Sequence, residues 1–183
     1  MTIVNEPILL QSIVAQSRIA SPLGTMLLAR TEHGLAGAWF ERQKHHPADI
    51  DAPERDDDPL LVSAAAQLRD YFAGASFDFD IPLDLQGTDF QCGVWRVLLR
   101  IAPGATSSYG EIARALGLPA ASRAVGAAVG RNPVSIIVPC HRVVGSSGAL
   151  TGYAGGLDRK ASLLRIEAEG VGRERGGQQL ELH

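Results

Sequence analysis

The sequence predicts an α+β protein: a small N-terminal antiparallel-sheet α/β domain, followed by a mainly helical C-terminal domain with a helix-turn-helix. Short apolar runs separated by turn residues fill residues 18–40, which is typical of an antiparallel meander. From residue 87 onward, apolar residues recur at helical spacing, and glycine or proline ends each run. With 45% hydrophobic and 20% charged residues, the 183-residue chain has the composition of a folded globular protein.

The N-terminal domain is predicted at residues 18–86. Strands are expected at 18–20, 25–30 and 35–40, because turn residues separate them. A loop over 41–59 holds three prolines, and a helix over 60–72 has one apolar face formed by Leu61, Ala64, Ala65, Leu68 and Phe72. Alternating Phe and Asp residues then predict a half-buried strand over 77–81. Residues 1–17 have no clear period and are expected to form an extension, either mobile or an edge strand.

The helical domain is predicted at residues 87–170. Thr88 and Gln91 have the spacing of a capping box, and the helix they begin should end at Pro103-Gly104. Short helices at 111–116 and 120–131, joined through Gly117, form a helix-turn-helix candidate, although an ordinary αα-hairpin has the same pattern. The last helix is expected over 157–168, and residues 171–183 are expected to be a disordered tail.

The charge divides between the two predicted domains. The net charge of −3, taken whole, counts against a nucleic-acid partner. Residues 1–86, however, hold 6 basic and 13 acidic side chains, whereas residues 87–170 hold 9 basic and 5 acidic ones. The helical domain therefore carries +4, which fits weak, salt-sensitive scanning of DNA.

Composition also excludes several classes of protein. No apolar run is long enough to span a bilayer, and the N-terminus lacks the pattern of a signal peptide. The two cysteines, Cys92 and Cys140, form no C-x-x-C pair and cannot make a disulfide framework. We therefore expect a cytoplasmic protein with reduced thiols and without membrane association.

Cys140 is the first candidate for chemistry. Most lone cysteines are buried small apolar residues, but this one is followed directly by His141 and Arg142, and such neighbours lower the pKa of a thiol. A thiolate would be a nucleophile at neutral pH. Because successive strand residues point to opposite faces, His141 can reach Cys140 only if the backbone turns there or through a bridging water.

Glu167 lies at the border of the apolar face of the last helix, so it is either a solvated flank or a partly buried partner of His141. If buried, its carboxylate would hold the imidazole in the correct tautomer, as the acid of a catalytic triad does. Cys92 has no close basic neighbour and is interpreted as structural. The histidines show no ligand spacing, so neither a metal site nor a cofactor is expected.

The segment around Cys140 carries a family resemblance: Ile136-Ile137-Val138-Pro139-Cys140-His141-Arg142-Val143-Val144. It strongly resembles the active-site segment of the O6-alkylguanine-DNA alkyltransferases, also called methylated-DNA–protein-cysteine methyltransferases. Segments 88–95, 108–113, 123–126, 132–133 and 151–157 also look like family segments, and they occur in the family's order. The resemblance covers roughly residues 18–170, and its most specific part is 88–167.

The resemblance implies a DNA repair protein that acts once, without a cofactor. Its helix-turn-helix would bind double-stranded DNA in the minor groove and flip the O6-alkylguanine into a pocket, at a cost of a few kcal/mol; O4-alkylthymine is a further expected substrate. By resemblance, Cys140 is the alkyl acceptor, His141 deprotonates it through a water, and Glu167 orients His141. We expect a monomer, and the sequence leaves open whether several molecules cluster along DNA.

The resemblance also implies roles for other residues. Tyr109 resembles the hydroxyl that donates to the damaged base, Arg123 the side chain that occupies the vacated stack, and Asn132 the link between recognition helix and active-site segment. The carbonyl oxygens of Cys140 and Val143 would accept from the guanine amino group. Tyr153 and Ala154 belong to the loop that covers the pocket; where some relatives have Ser, Ala154 offers only its backbone N–H.

Two departures and two alternatives accompany the resemblance. Some relatives hold zinc in the N-terminal unit, but no cysteine precedes Cys92 here, and no chain remains for a separate cysteine-rich sensor domain. The first alternative is a non-catalytic binder that senses alkyl damage, although such proteins lack the acceptor cysteine. The second is a cysteine hydrolase that uses Cys140, His141 and Glu167.

Overall fold

Three antiparallel strands form the N-terminal sheet. The computed structural model describes residues 12–180, with side chains for 12–173. Strands β1 (Ala15–Ile19), β2 (Met26–Arg30) and β3 (Leu35–Phe40) pair in the order β1-β2-β3. The predicted meander is thus confirmed, with β1 beginning at Ala15 at one edge of the sheet. The rest of the predicted extension, residues 1–11, lies outside the described residues.

Helix α1 (Pro59–Phe72) packs against this sheet. Its N-terminus is capped by Asp58, whose side chain accepts from the backbone N–H groups of Leu60 and Leu61 and also pairs with Arg30 at 2.7 Å. The buried face differs from the predicted one at its end, because Tyr71 is fully buried while Phe72 is only half-buried.

The strand predicted over 77–81 is absent from the structure. The side chains alternate as expected, with Phe77 buried and Asp78 exposed, but the segment pairs with no strand. Its contact with the sheet comes just beyond it, in one parallel bridge between Leu35 and Leu83: Leu35 N–H donates to Pro82 O at 2.8 Å, and Leu35 O accepts from Asp84 N–H at 2.9 Å. Because proline has no N–H, Pro82 cannot extend this bridge back into 77–81, and no ladder forms there.

The helical part begins with α2 (Asp89–Leu98), capped by the predicted capping box of Thr88 and Gln91. Helices α3 (Tyr109–Ala115) and α4 (Ser122–Gly130) pack against each other and against α2. A second capping box begins α3, and Gly117, at φ +72°, makes the left-handed turn between the two helices. The indole N–H of Trp95 donates to Ala128 O at 2.9 Å and fixes α2 against α4.

Residues 134–144 connect the two parts of the molecule. Ala38 of β3 exchanges backbone hydrogen bonds with this segment, donating to Pro133 O and accepting from Ser135 N–H. Strand β4 (Ser107–Ser108) then pairs in parallel with β5 (Val143–Val144), which brings the start of α3 beside the segment that contains Cys140. One apolar core runs continuously from the sheet through α1 into α2, α4 and this segment.

The last helix, α5 (Leu157–Leu180), is longer than predicted. Gly170 does not end it; instead Gly170 is buried against the ring of Phe77, so its missing side chain permits close packing. The helix therefore continues through residues 171–180, residues 181–183 lie outside the described part, and the disordered tail expected over 171–183 stays a prediction. Within residues 12–180, no helix has both the length and the apolar character needed to cross a membrane.

Candidate active site

Cys140 lies in a 3₁₀ turn, Cys140–Arg142, rather than in a strand. The sequence leaves open whether the backbone turns between Cys140 and His141, and the structure shows that it does. Cys140 is 4% exposed, and burial raises the pKa of its thiol to about 11, although neighbouring donors act in the opposite direction. The thiol at rest is therefore protonated, and a base must remove its proton before it can act as a nucleophile.

Asn132, just beyond the end of α4, is one of those donors. Its Nδ2 lies 3.0 Å from Cys140 Sγ and 2.8 Å from Val138 O, and its Oδ1 accepts from Val134 N–H at 3.0 Å. The amide is buried and links the predicted recognition helix with the cysteine turn.

His141 and Glu167 are fully buried and face each other. His141 Nε2 lies 2.6 Å from Glu167 Oε1, so the ring donates through Nε2 to the carboxylate. His141 Nδ1 has no hydrogen-bond partner among the described residues. Burial, which outweighs the attraction of Glu167, lowers the pKa of His141. The imidazole is consequently neutral at pH 7, with Nδ1 as an available acceptor.

Arg142 and a backbone amide complete the surroundings of Glu167. The guanidinium donates to both carboxylate oxygens at 2.9 Å, and Gly104 N–H donates to Oε2 at 3.1 Å. Burial alone would raise the pKa of Glu167, but the hydrogen bonds from His141 and Arg142 hold it at about 2. Glu167 is therefore an ionised, fully paired carboxylate and not a solvated flank.

Two further side chains approach this network. Tyr71, from α1, donates its hydroxyl to Glu167 Oε1 at 2.8 Å. Lys160 lies on the same face of α5 as Glu167 and is fully buried. Its ammonium group donates to Val143 O and to Thr151 O. Burial lowers the pKa of Lys160, while a negative charge on Cys140 would raise it, so the ammonium and the thiol are electrostatic neighbours.

A cleft of 340 Å³ opens between α4 and the segment 152–154, and neither Cys140 nor His141 is among the residues that line it. Three of the predicted residues line it: Tyr109, Tyr153 and Ala154. Lys44, from the loop 41–46, and residues of α4 form other parts of its wall. Burial, and then a charge on Cys140, raise the pKa of Tyr153, whose buried hydroxyl has no hydrogen-bond partner among the described residues. Ala154 O accepts from Lys44 N–H at 2.9 Å, so the predicted covering loop is tied to the N-terminal domain.

Of the remaining predicted residues, Arg123 and Cys92 lie apart from the network, whereas Val143 adjoins it, because its N–H donates to Cys140 O. Arg123 is exposed on the first turn of α4 and makes no hydrogen bond or ion pair within residues 12–173. The Val143 carbonyl oxygen already accepts from Lys160 but retains a second lone pair. Cys92 is half-buried, with Sγ 3.4 Å from Leu85 O. No cluster of metal-ligating side chains occurs among the residues the structure describes.

Sequence reasoning missed Tyr71, Lys160 and the pairing of Arg142. A signal for Lys160 was present, because Lys160 and Glu167 share the apolar stripe of α5 with Leu163, and charged groups on such a stripe need partners. Arg142 stands in a run that is otherwise apolar, which carries the same information. Tyr71 gave no comparable signal, since its partners lie 70 and 96 residues away along the chain.

Comparison with known proteins identifies the family. The chain matches the family model of the 6-O-methylguanine DNA methyltransferase DNA-binding domain over residues 89–169, and that of the same family's ribonuclease-like domain over residues 14–85. A methylated-DNA–protein-cysteine methyltransferase of Mycobacterium bovis is 50% identical over 150 residues, which are 81% of this chain and 89% of the relative. A protein of the same name from Methanosarcina acetivorans is 48% identical, over 80% of this chain and 94% of its own.

Solved structures agree with these matches. The crystal structure of Mycobacterium tuberculosis OGT in complex with DNA has a TM-score of 0.79 and 47% identity, and the match covers 86% of this chain and 94% of that one. Mycobacterium tuberculosis O6-methylguanine methyltransferase has a TM-score of 0.78 and 46% identity, covering 85% and 93%. The chain therefore belongs to the 6-O-methylguanine DNA methyltransferase family.

Proposed function

We propose that this chain repairs duplex DNA by transferring the alkyl group of O6-alkylguanine irreversibly to Cys140. Family membership makes it a DNA-repair methyltransferase with DNA as its partner. The observation that supports Cys140 as acceptor is the hydrogen bond between Glu167 and His141, the residue next to it. Glu167 accepts a hydrogen bond from Nε2–H of a neutral, buried His141, and this leaves Nδ1 as the acceptor in the cysteine turn.

The chemistry needs one proton removed and one supplied. His141 Nδ1 accepts the thiol proton through a bridging water, and the resulting imidazolium is stabilised by Glu167. The thiolate attacks the alkyl carbon, so an S–C bond forms as the C–O6 bond breaks and its electron pair stays on the guanine. Tyr109, whose hydroxyl lies at the cleft 3.4 Å from Thr151 O, donates toward the leaving base.

The reaction stops after one turnover. The product is a thioether, and neither His141 nor Glu167 can provide a route for its hydrolysis, since a thioether carbon is a poor electrophile. The acceptor would therefore be consumed stoichiometrically, without a cofactor. This separates the proposal from a cysteine hydrolase built on the same three residues.

Engagement of DNA is assigned to α3 and α4. Helix α4 presents small side chains such as Ala124 and Ala127, which suits a minor groove about 6 Å wide. Exposed Arg123 on its first turn would fill the space that the flipped base leaves. The 340 Å³ cleft between α4 and the 153–154 segment would receive the base. By the family resemblance, the carbonyl oxygens of Cys140 and Val143 would accept from its amino group, although Cys140 O already accepts from Val143 N–H.

Three finer statements belong to the same proposal. O4-alkylthymine is a second substrate, because it presents an alkylated oxygen on a flipped pyrimidine. The chain acts as a monomer, divided near residue 86 into a supporting domain and a DNA-binding domain. Asn132 ties the recognition helix to the acceptor through its contacts with Val138 O and Cys140 Sγ.

A label-transfer assay tests the proposal. The protein is incubated with duplex DNA that carries radiolabelled O6-methylguanine, and label on the protein is counted against protein concentration. We expect at most one label per chain, and none with Cys140→Ser. Cys92→Ser is the matched control and should retain full transfer, because Cys92 packs against the core away from the His141–Glu167 pair and its Sγ lies 3.4 Å from Leu85 O.

The alternative outcomes discriminate among the candidate functions. Damage-specific binding without any transfer would favour a non-catalytic sensor, a reading that the presence of Cys140 opposes. Release of labelled methanol over many turnovers would favour a hydrolase. Either result would contradict the proposed function.

A further inference from the structure

Tyr71 belongs to the N-terminal domain, yet its hydroxyl lies in the hydrogen-bond network behind Cys140. The side chain comes from the last turn of α1 and is fully buried. Its ring packs edge-on against Phe77, with 5.4 Å between centroids, and stacks with Phe79 at 5.9 Å. These aromatic contacts fix the position of the ring, so the direction of its hydroxyl is determined by the N-terminal domain.

The hydroxyl contacts both members of the His141–Glu167 pair. It donates to Glu167 Oε1 at 2.8 Å and lies 3.3 Å from His141 Nε2. Oε1 is the same oxygen that accepts the Nε2 proton of His141. Burial, followed by the charge of Glu167, raises the pKa of Tyr71, so the hydroxyl remains a donor throughout the neutral range.

A tyrosine that served only to fill space would not need its hydroxyl. Burying an unpaired hydroxyl is unfavourable, and phenylalanine would satisfy the contacts with Phe77 and Phe79 equally well. The hydroxyl instead adds a neutral donor to an oxygen that already receives His141 and Arg142. It therefore limits both the rotation of the carboxylate and the strength with which Oε1 attracts the His141 proton.

We propose that Tyr71 is a positioning residue for alkyl transfer: its hydroxyl holds Glu167 Oε1 against His141 Nε2 and so keeps His141 Nδ1 free to accept the Cys140 proton. The inference rests on the proposed function and assigns the N-terminal domain a part in the reaction. Tyr71 acts through Glu167 and His141, without contact with the substrate.

Tyr71→Phe is the test, because it removes the hydroxyl and keeps the ring. Hydrogen bonds to charged groups are strong enough that we expect transfer to slow about tenfold. The slowing should be equal with duplex DNA and with free O6-benzylguanine, since the contact serves the thiol chemistry. The rate falls at acid pH as His141 becomes protonated, and the variant should lose activity at higher pH than the wild type.

The direction of this shift follows from the groups that surround His141. Without the Tyr71 donor, Oε1 becomes a stronger acceptor, favours the imidazolium and raises the pKa of His141. The other charged groups that act on His141 are Glu167, Arg142 and Lys160, and the substitution leaves them and the adjacent Cys140 unchanged. Titration of the His141 ring resonances by NMR measures the same shift without any substrate.

Phe72→Leu is the matched control. It removes an edge contact with the Tyr71 ring, 5.7 Å between centroids, and leaves the hydroxyl contacts intact. This variant should lose some stability while its pH profile stays that of the wild type. A purely structural role for Tyr71 predicts the same behaviour for Tyr71→Phe, and an unchanged pH profile in that variant would overturn the inference.

The inference can be tested even if Tyr71→Phe does not fold or if the proposed function is wrong. If Tyr71→Phe does not fold, the wild-type protein must still show a slowly exchanging Tyr71 hydroxyl proton with a nuclear Overhauser effect to the His141 ring; its absence overturns the inference. Absence of label transfer in the wild type would contradict the proposed function instead. The His141 titration remains decisive for Tyr71 in that case.

Discussion

Asn132 and Cys140 are joined by a hydrogen bond in which Nδ2 lies 3.0 Å from Sγ, although eight residues separate them along the chain. The same amide nitrogen lies 2.8 Å from Val138 O. Because Asn132 lies just beyond the end of α4, the sulfur of Cys140, the proposed acceptor, and the proposed DNA-binding helix share one buried side chain. A displacement of α4 would therefore change the hydrogen bond between Asn132 and the Cys140 thiol.

Asn132→Ala should make the thiol less acidic and the protein less stable. The donor that lowers the pKa of Cys140 is lost, and Val134 N–H is left unpaired in a buried position. We expect a loss of about 1–3 kcal/mol in the free energy of unfolding, measured with urea. The rate at which iodoacetamide alkylates Cys140 increases with pH as the thiol ionises. In the variant this increase should occur at a higher pH than in the wild type.

Asn132→Asp tests the electrostatic part of this contact. The aspartate keeps an acceptor for Val134 N–H but sets a carboxylate oxygen, in place of a donor, against Sγ and Val138 O, so thiol acidity should fall further than in Asn132→Ala. Unchanged thiol acidity in both variants would mean that the Asn132 contact has no electrostatic role.

Arg123→Ala should impair repair of duplex DNA and spare the thiol chemistry. Arg123 is exposed on the first turn of α4 and touches none of the residues around Cys140. Reaction with free O6-benzylguanine should stay near the wild-type rate, while transfer from duplex DNA slows. Arg96→Ala, an exposed arginine on α2, is the control and should behave as wild type with both substrates. Equal losses with both substrates for Arg123→Ala would refute the flipping role.

Glu167 should make the protein sensitive to acid. Its folded-state pKa is about 2, below the ordinary value of 4.5, because the donors around it outweigh its burial. The stabilisation is therefore complete above pH 4.5 and is lost as the pH falls from there toward 2, by about 3 kcal/mol at about 1.4 kcal/mol per unit. Urea unfolding at several acid pH values should show this slope in the wild type and a smaller one in Glu167→Gln. Equal slopes in the two proteins would contradict the assignment.

Asp58 should stabilise α1 in two separable ways. It caps the helix N-terminus and pairs with Arg30 at 2.7 Å. Asp58→Ala removes both contacts and should cost about 1–3 kcal/mol, whereas Asp58→Asn retains a capping oxygen and should cost less. Thermal unfolding of the three proteins measures the difference. Equal losses in the two variants would assign the whole effect to the ion pair.

The parts of the fold that local chemistry determines were predictable. The capping box of Thr88 and Gln91 and the helical spacing of α1 depend on residues only a few positions apart. The strand over 77–81 failed because a strand also requires a partner, and Pro82 blocks the ladder. The end of α5 failed because Gly170 is retained for its packing against Phe77.

The candidate site divides in the same way. Cys140 and His141 were identifiable because they are adjacent, and the 3₁₀ turn that brings their backbone around was one of two alternatives left open. The burial of Glu167 depended on Arg142, Gly104 and Tyr71, whose approach results from the packing of three separate elements. No pattern within one segment carries that information.

Under the proposed function Cys140 can be used only once, and its burial then has a further consequence. Any adventitious electrophile or oxidant that reached the sulfur would inactivate the molecule before it met damaged DNA. With a pKa of about 11, only about one thiol in ten thousand is ionised at pH 7, and 4% exposure restricts access to that fraction. The resting protein is thus protected against premature inactivation, and its repair capacity is preserved until a base enters the cleft.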